Sequence, residues 1–101
     1  MSTMTYAEFE AEAKTQGFDE VLERVWQPGQ VVATHSHPFE VSALMVQGEL
    51  WLACDGAGDA GGETRHLLPG DRFQLGMDQP HTERYGPEGA TFWAARRHAS
   101  A

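Results

Sequence analysis

The chain has 101 residues, a formal net charge of −8 at pH 7 and one cysteine. This length suits a single domain, and the acidic balance argues against nucleic acid as a partner, because affinity for DNA and RNA depends on Lys and Arg meeting phosphates. One cysteine excludes an internal disulfide, and no apolar run has the form of a signal peptide or approaches the roughly 20 residues of a membrane helix. We therefore expect a cytoplasmic protein that binds neither nucleic acid nor membranes.

One short amphipathic helix is predicted within residues 1–18. Thr5 and Glu8 have the spacing of a capping box, and Gly17 is a favourable residue for ending a helix. The apolar residues between them fall on one helical face. We expect this face to pack on a single domain formed by residues 19–101.

Strands are predicted for the rest of the chain, because short apolar or alternating runs are separated by Gly, Pro and Asp at regular intervals. The predicted strands cover residues 20–27, 30–37, 41–46, 50–54, 63–68, 71–75, 82–85 and 90–95. Residues 57–62 are small and rich in glycine, which indicates the tip of a long hairpin. This pattern is typical of an all-β sandwich or barrel.

Two histidines one residue apart, His35 and His37, are the strongest functional signal. Side chains alternate between the faces of a strand, so these two imidazoles point the same way. A third imidazole from His81 would complete a pocket of three nitrogens that suits a transition metal. Such a set leaves coordination positions open, as catalytic sites do.

The spacing of these histidines and of nearby glycines resembles the two sequence motifs of the cupin family. Gly29 is followed by five residues and the first histidine, and Gly48 follows the second histidine after ten residues. Gly70 begins the second motif, which contains the third histidine. The resemblance covers residues 29–85. It implies a double-stranded β-helix, or jelly-roll barrel, in which the three histidines bind a divalent ion of iron, nickel, manganese or zinc.

The chain departs from the cupin pattern where the family has a metal-binding glutamate, because Val41 occupies that position. Glu40 faces away from the histidines on a regular strand, but a β-bulge at Pro38 would turn it towards them as a fourth ligand. Three other family residues, Pro, Gly and Asn, are replaced by Gly76, Asp78 and Tyr85. The missing carboxylate weakens the expected binding of a divalent ion, and a metal-free site stays an alternative.

Residues on the same strand faces as the histidines are predicted to line a narrow, largely apolar cavity. They are Phe39, Val41, Ala43, Met45, Leu50, Leu52, Phe73, Tyr85 and Trp93. This lining contains few hydrogen-bonding groups, and no cluster of Arg and Lys is available for phosphates. A small aromatic or short-chain organic molecule fits it better than a sugar nucleotide.

Two functions from different classes fit this site. The first is metal-dependent chemistry on a small organic molecule, as a dioxygenase-like oxidoreductase or as an isomerase or lyase. The second is a metal-free, non-enzymatic sensor, similar to the ligand-binding half of arabinose-type bacterial transcription regulators. Glu40, Glu83 and Tyr85 are the candidate general bases, and the sequence favours none of them.

A homodimer is predicted from the outer face of the sheet. Trp26 and Trp51 are expected there, because their strand neighbours of opposite parity point inward. Exposed aromatic residues of this size commonly mark an interface. We expect the interface to include Leu44 and Val46.

Overall fold

The computed structural model describes residues 4–54 and 64–98, so the predicted hairpin tip at residues 57–62 lies outside the described residues. One helix and six strands follow one another along the chain. They are α1 (Tyr6–Thr15), β1 (Glu20–Trp26), β2 (Val31–His35), β3 (Phe39–Cys54), β4 (Thr64–Leu67), β5 (Arg72–Leu75) and β6 (His81–His98). All strand pairs are antiparallel, which confirms the predicted all-β architecture with one N-terminal helix. Within the described residues, no helix is long and apolar enough to cross a bilayer.

Helix α1 begins with the predicted capping box. The Thr5 hydroxyl oxygen accepts a hydrogen bond from the backbone N–H of Glu8 (3.1 Å), and the Glu8 carboxylate accepts one from the backbone N–H of Thr5 (2.8 Å). These bonds satisfy backbone donors that the first turn of a helix leaves unpaired. Gly17 then adopts a φ of +89°, which lets the chain leave the helix and turn towards β1.

Strands β3 and β6 are long and run through both halves of the barrel. They pair with each other from Phe39 opposite His98 to Cys54 opposite His81. In one half, β1, the C-terminal part of β6, the N-terminal part of β3 and β5 lie side by side. In the other half, β2, the N-terminal part of β6, the C-terminal part of β3 and β4 do so. Each long strand was predicted as two separate strands, and this division is wrong.

Two glycines explain why β3 and β6 bend without ending. Gly48 and Gly89 have φ values of +80° and +76°, in the left-handed region that favours glycine. A Cβ atom on Gly48 would overlap the carbonyl oxygen of Gly89, and one on Gly89 would overlap the carbonyl oxygen of Trp26. The backbones therefore approach too closely for any other residue at these two bends.

The larger hydrophobic cluster fills the space between the two halves of the barrel. It contains Val41, Ala43, Met45, Leu50, Leu52, Leu67, Phe73, Leu75, Tyr85, Ala90, Phe92 and Ala94. The strands contribute alternate residues to it, as expected when one face of each strand is turned to a core. This core surrounds the predicted site.

A second cluster lies on the outer face of the barrel, beneath α1. Phe9 of the helix packs there with Leu44 and Trp93, and Val46 packs against their edge. Leu44 and Val46, which were predicted to belong to a dimer interface, therefore pack in a cluster with the helix of the same chain. The homodimer stays a prediction, without this surface to support it.

The two tryptophans predicted for the outer face lie in different environments. Trp51 is on the outside, where its ring stacks on His66 with centroids 4.6 Å apart. Trp26 instead points into the barrel and stacks on Tyr85 with centroids 4.9 Å apart. On the same strand Val25 faces solvent, at 66% exposure. The prediction that Trp26 faces outward is therefore wrong, because the strand faces are the reverse of those expected.

Candidate metal centre

His35, His37 and His81 converge at one end of the barrel, as the sequence predicted. One ring nitrogen from each lies within 4.8 Å of those from the other two. His35 ends β2 and pairs with His81 at the start of β6, which brings their ring centroids within 4.3 Å. His37 lies in the link between β2 and β3, and its ring is 4.9 Å from that of His35 and 5.1 Å from that of His81. The three imidazoles form a group that can hold a metal ion.

Backbone carbonyl groups orient two of these rings. Nδ1 of His35 lies 2.8 Å from the carbonyl oxygen of Ala33, and Nδ1 of His81 lies 3.0 Å from that of Gln79. A carbonyl oxygen only accepts hydrogen bonds, so the proton of each neutral ring is on Nδ1. The lone pair is then on Nε2, where a metal ion would use it.

A turn before β6 links two of the histidines. The backbone N–H of Asp78 donates a hydrogen bond to the carbonyl oxygen of His37 (2.7 Å). The Gln79 side chain accepts a hydrogen bond from the backbone N–H of Gly76 (2.8 Å), and the Gln79 carbonyl orients His81. The turn therefore fixes the separation of His37 and His81.

A buried carboxylate completes the group, and it belongs to Glu83, which was predicted only as one of three candidate general bases. Glu83 is 8% exposed, and its Oε2 lies 3.3 Å from Nε2 of His35 and 3.3 Å from Nε2 of His81. Glu83 follows His81 by two positions on β6, so the two side chains share a face. This two-residue spacing was the signal in the sequence that could have placed Glu83 beside His81. The negative charge that Val41 does not supply is present on a different strand.

Tyr85 holds this carboxylate from the other side. Its hydroxyl group donates a hydrogen bond to Oε1 of Glu83. Burial and the adjacent negative charge raise the pKa of Tyr85, so the hydroxyl stays a donor. Burial alone would raise the pKa of Glu83, but the neighbouring His81 and the Tyr85 hydrogen bond outweigh burial and lower it. Glu83 is therefore a carboxylate at neutral pH.

The pKa values of two histidines shift in opposite directions. Burial disfavours the charged form of His37, and the nearby His81 and His35 disfavour it further, so the pKa of His37 is lowered. Burial also disfavours the charged form of His81, but the Glu83 carboxylate and the Gln79 carbonyl outweigh it, so the pKa of His81 is raised. The Glu83 carboxylate thus interacts with the imidazole of His81, which is the most deeply buried of the three.

One nitrogen of the group lacks a hydrogen bond. Nε2 of His81 is fully buried and makes no hydrogen bond of good geometry within the described chain; with the ring proton on Nδ1, its lone pair faces Oε2 of Glu83 at 3.3 Å. A buried polar atom without a partner costs about 1–3 kcal/mol. Bound metal would satisfy this nitrogen, and three imidazoles beside a carboxylate are ligands that iron, nickel, manganese and zinc accept. The residues present therefore fit the metal that the sequence motifs imply.

Glu40, the other predicted ligand, is not brought to the histidines. Strand β3 is regular at this point, with Glu40 opposite Arg97 of β6. The Glu40 carboxylate lies 3.4 Å from the Arg97 guanidinium, on the outside of the barrel. The bulge that would have turned it inward is absent from β3 between Phe39 and Met45.

A cavity of about 60 Å³ opens beside His37. Of the predicted lining residues, Phe39, Val41 and Phe73 contact it, whereas Ala43, Met45, Leu50, Leu52 and Tyr85 belong to the surrounding core. Trp93 was also predicted to line the cavity, and this prediction is wrong. It lies on the outer face under α1, and its indole N–H donates to Glu23 (3.0 Å).

Two arginines in the cavity lining were not predicted. Arg24 of β1 places its guanidinium over the ring of Trp26 at 4.9 Å, and Arg96 of β6 places its own over Phe39 at 4.7 Å. Arg24 lies two residues before Trp26 on the same strand, so the two side chains share a face. Had Trp26 been predicted to point inward, Arg24 would have been predicted to do so as well. The cavity is therefore apolar inside with two cationic groups in its wall.

Among known proteins, only solved structures are similar to this chain by the comparisons made of sequence and of fold. No family model matches the chain, and no curated protein sequence matches it.

Several solved structures are similar to this chain. An uncharacterized conserved protein with a double-stranded β-helix domain from Klebsiella pneumoniae is 26% identical, with a TM-score of 0.64 over 80% of this chain and 68% of that one. An RmlC-like cupin from Shewanella frigidimarina is 22% identical, with a TM-score of 0.62 over 79% and 68%. A structure of the DMSP lyases RdDddP and RnDddQII gives 22% identity and a TM-score of 0.68 over 78% of this chain. The chain spans only 38% of that lyase, and the similarity concerns the fold.

Proposed function

We propose that this chain, which has the cupin fold, holds a divalent transition metal with its three histidines and acts on a small organic molecule in the adjoining cavity. The fold was expected from the motif spacing, and the solved structures confirm it. One observation carries the proposal. His37 belongs both to the histidine group and to the wall of the cavity, so a molecule in the cavity lies beside the metal.

Four residues have distinct tasks in this proposal. His35, His37 and His81 would hold the metal, which supplies Lewis-acid or redox chemistry when bound. Glu83 would balance the positive charge of the ion and can hold a proton at Oε2, which already faces two imidazoles. The apolar part of the wall would lower the local dielectric and so strengthen each of these electrostatic interactions.

A bound metal accounts for the charged groups at this site better than a metal-free sensor does. Without metal, the lone pair of neutral His81 at Nε2 faces the buried Glu83 carboxylate, which costs free energy that an apolar ligand would not recover. A metal ion would bind the lone pair and balance the carboxylate. We propose two reaction classes, a dioxygenase-like oxidation and an isomerase or lyase reaction.

Metal uptake tests the proposal directly. Protein purified without a histidine tag and stripped with a chelator is dialysed against iron, nickel, manganese or zinc, and bound metal is counted by elemental analysis. We expect close to one equivalent and a higher melting temperature, since a ligand at 100 times its Kd stabilises by about 2.7 kcal/mol. His37→Ala should lose both effects.

A second histidine variant provides the control. His66 is exposed and lies 2.7 Å from the Glu49 carboxylate, away from the site, so His66→Ala should bind metal as the unmodified protein does. Failure of the unmodified protein to take up any of the four metals would contradict the proposal and favour the metal-free sensor.

A further inference from the structure

We propose that the cavity beside the metal centre binds the carboxylate of a small organic acid, with Arg24 and Arg96 as the groups that hold it. The inference rests on the proposed function in one respect, because the acid would be the molecule on which the metal acts. It narrows that molecule from any small organic compound to a short monocarboxylate.

The strand register turns both arginines towards the same cavity. Arg24 of β1 is opposite Phe92 of β6, and Arg96 lies four positions beyond Phe92 on the same inward face. Ala94 lies between Phe92 and Arg96 on the same face of β6 and also lines the cavity. Its methyl group takes less of the cavity than a larger side chain would.

Neither arginine is neutralised by a buried partner. Within the described chain, Arg24 forms no ion pair with a carboxylate, and its guanidinium lies over the ring of Trp26. Arg96 lies 3.5 Å from Glu20, whose side chain is half-exposed. Arg24 is a partly buried cation without a close anion in the described chain, which is costly, and an anionic ligand would remove that cost. The two cations that face this cavity are also opposite in sign to the net charge of the chain, which is −8.

The shape of a carboxylate suits this pair of residues. Guanidinium groups donate two parallel hydrogen bonds to a carboxylate, which fixes its orientation as well as its position. The remaining wall is apolar, with Phe73, Leu75 and Phe92. A ligand that satisfies both parts has one carboxylate and a hydrocarbon chain.

The volume of the cavity limits the length of that chain. A water molecule needs roughly 10–15 Å³ of such space, so a cavity of about 60 Å³ holds about four to six groups of that size. Propionate and butyrate have this number of non-hydrogen atoms. The cavity therefore encloses an acid of this size, and the rest of a larger acid would extend beyond it.

Binding of butyrate to metal-free protein tests the inference. The chelator-treated protein is titrated with butyrate and, separately, with butyramide, a neutral molecule of nearly the same shape. Tryptophan fluorescence reports binding because Trp26 lines the cavity. We expect saturable binding of butyrate and an affinity for butyramide at least about tenfold lower. Equal affinities would overturn the inference.

Arginine variants locate the site. Arg24→Gln should weaken butyrate binding about tenfold or more. The matched control is Arg84→Gln, because Arg84 also lies over a tryptophan, at 4.5 Å from Trp51, but on the outside of the barrel. Equal affinities in the two variants would overturn the assignment to the cavity.

Two further measurements keep the outcomes separate. Circular dichroism establishes that Arg24→Gln is folded, and if it is not, the butyrate and butyramide titrations of the unmodified protein decide the question. Metal uptake is measured on the same preparations. Butyrate binding by protein that takes up no metal would support the arginine site and contradict the metal-dependent function, and the reverse result would do the opposite.

Discussion

In the proposed metal centre, one residue, Glu83, would balance part of the charge of the ion. A divalent ion held by three neutral imidazoles leaves two positive charges in a buried site. The Glu83 carboxylate lies 3.3 Å from two of those imidazoles, and the Tyr85 hydroxyl group keeps it oriented. In the proposed metal site, a carboxylate from β6 would supply the negative charge that the cupin pattern assigns to the position of Val41. The charge of the ion would then be partly balanced although the ligand pattern of the sequence is incomplete.

Replacing Glu83 should weaken metal binding without removing it. Glu83→Gln keeps the size of the side chain and removes its charge, so we expect a metal affinity about 10–100-fold lower. Competition with a chromophoric chelator measures the change. Glu49→Gln serves as the control, because Glu49 also contacts a histidine, His66 at 2.7 Å, but on the surface. Equal affinities in the two variants would show that Glu83 does not balance the charge of the ion.

Single residues of the site differ in how well their positions could be predicted. The histidines were predicted because their spacing fixes the strand face that they share. Asp78, which replaces a family glycine, adopts a φ of +59°, a conformation that Asp tolerates better than most residues. Arg24 was missed because an arginine on a short strand is ordinarily interpreted as solvated. Only the position of Trp26 inside the barrel shows that Arg24 faces inward.

At the scale of elements, α1 determines which face of the barrel is exposed. Its capping box and its end could be predicted, because both depend on residues close together in the chain. Its packing partner could not, because Leu44 and Val46 show only that β3 is apolar on both faces. The structure shows that α1 covers this second face. A strand face covered by a helix of the same chain and one covered by a second subunit both consist of apolar residues. The sequence of the strand therefore does not distinguish the two.

Loss of the capping box should destabilise the protein by a measurable amount. Thr5→Ala removes one of the two reciprocal hydrogen bonds, and we expect the free energy of unfolding to fall by about 1 kcal/mol. Urea denaturation measures it. Thr15→Ala is the matched control, because the Thr15 hydroxyl group bonds only to the carbonyl of Ala11 at the exposed end of the helix. A loss as large in Thr15→Ala would argue against a specific effect of the cap.

At the scale of the whole molecule, the two glycine bends make the barrel continuous. Gly48 lies between two predicted strands, residues 41–46 and 50–54, where a glycine ordinarily indicates a turn. The ladder instead passes through it, because Gly89 stands on the facing strand. Residues 41 positions apart in sequence meet there, and no local pattern reports such a contact. The number of strands was therefore overestimated, although the fold was predicted correctly.

The bend should not tolerate even a methyl group. Gly48→Ala would overlap the Gly89 carbonyl and also hold alanine in a left-handed conformation, so we expect a loss of about 3 kcal/mol or more in the free energy of unfolding. Gly29→Ala separates the two effects, because Gly29 also has a positive φ, of +65°, but nothing lies within 4 Å of its added methyl group. Its cost should be about 1–2 kcal/mol in the same denaturation experiment. Similar losses in both variants would mean that the contact with Gly89 contributes nothing.

The continuity of β3 and β6 has a consequence for how the protein opens. Neither half of the barrel can separate without breaking the same two strands, so the halves should form one cooperative unit. Metal at the histidines, which lie at one end, should then slow amide hydrogen exchange in β1 and β5 of the other half by the same factor as in β2. Exchange measured by mass spectrometry with and without metal tests this. Protection confined to β2 and the start of β6 would mean that the two halves open independently.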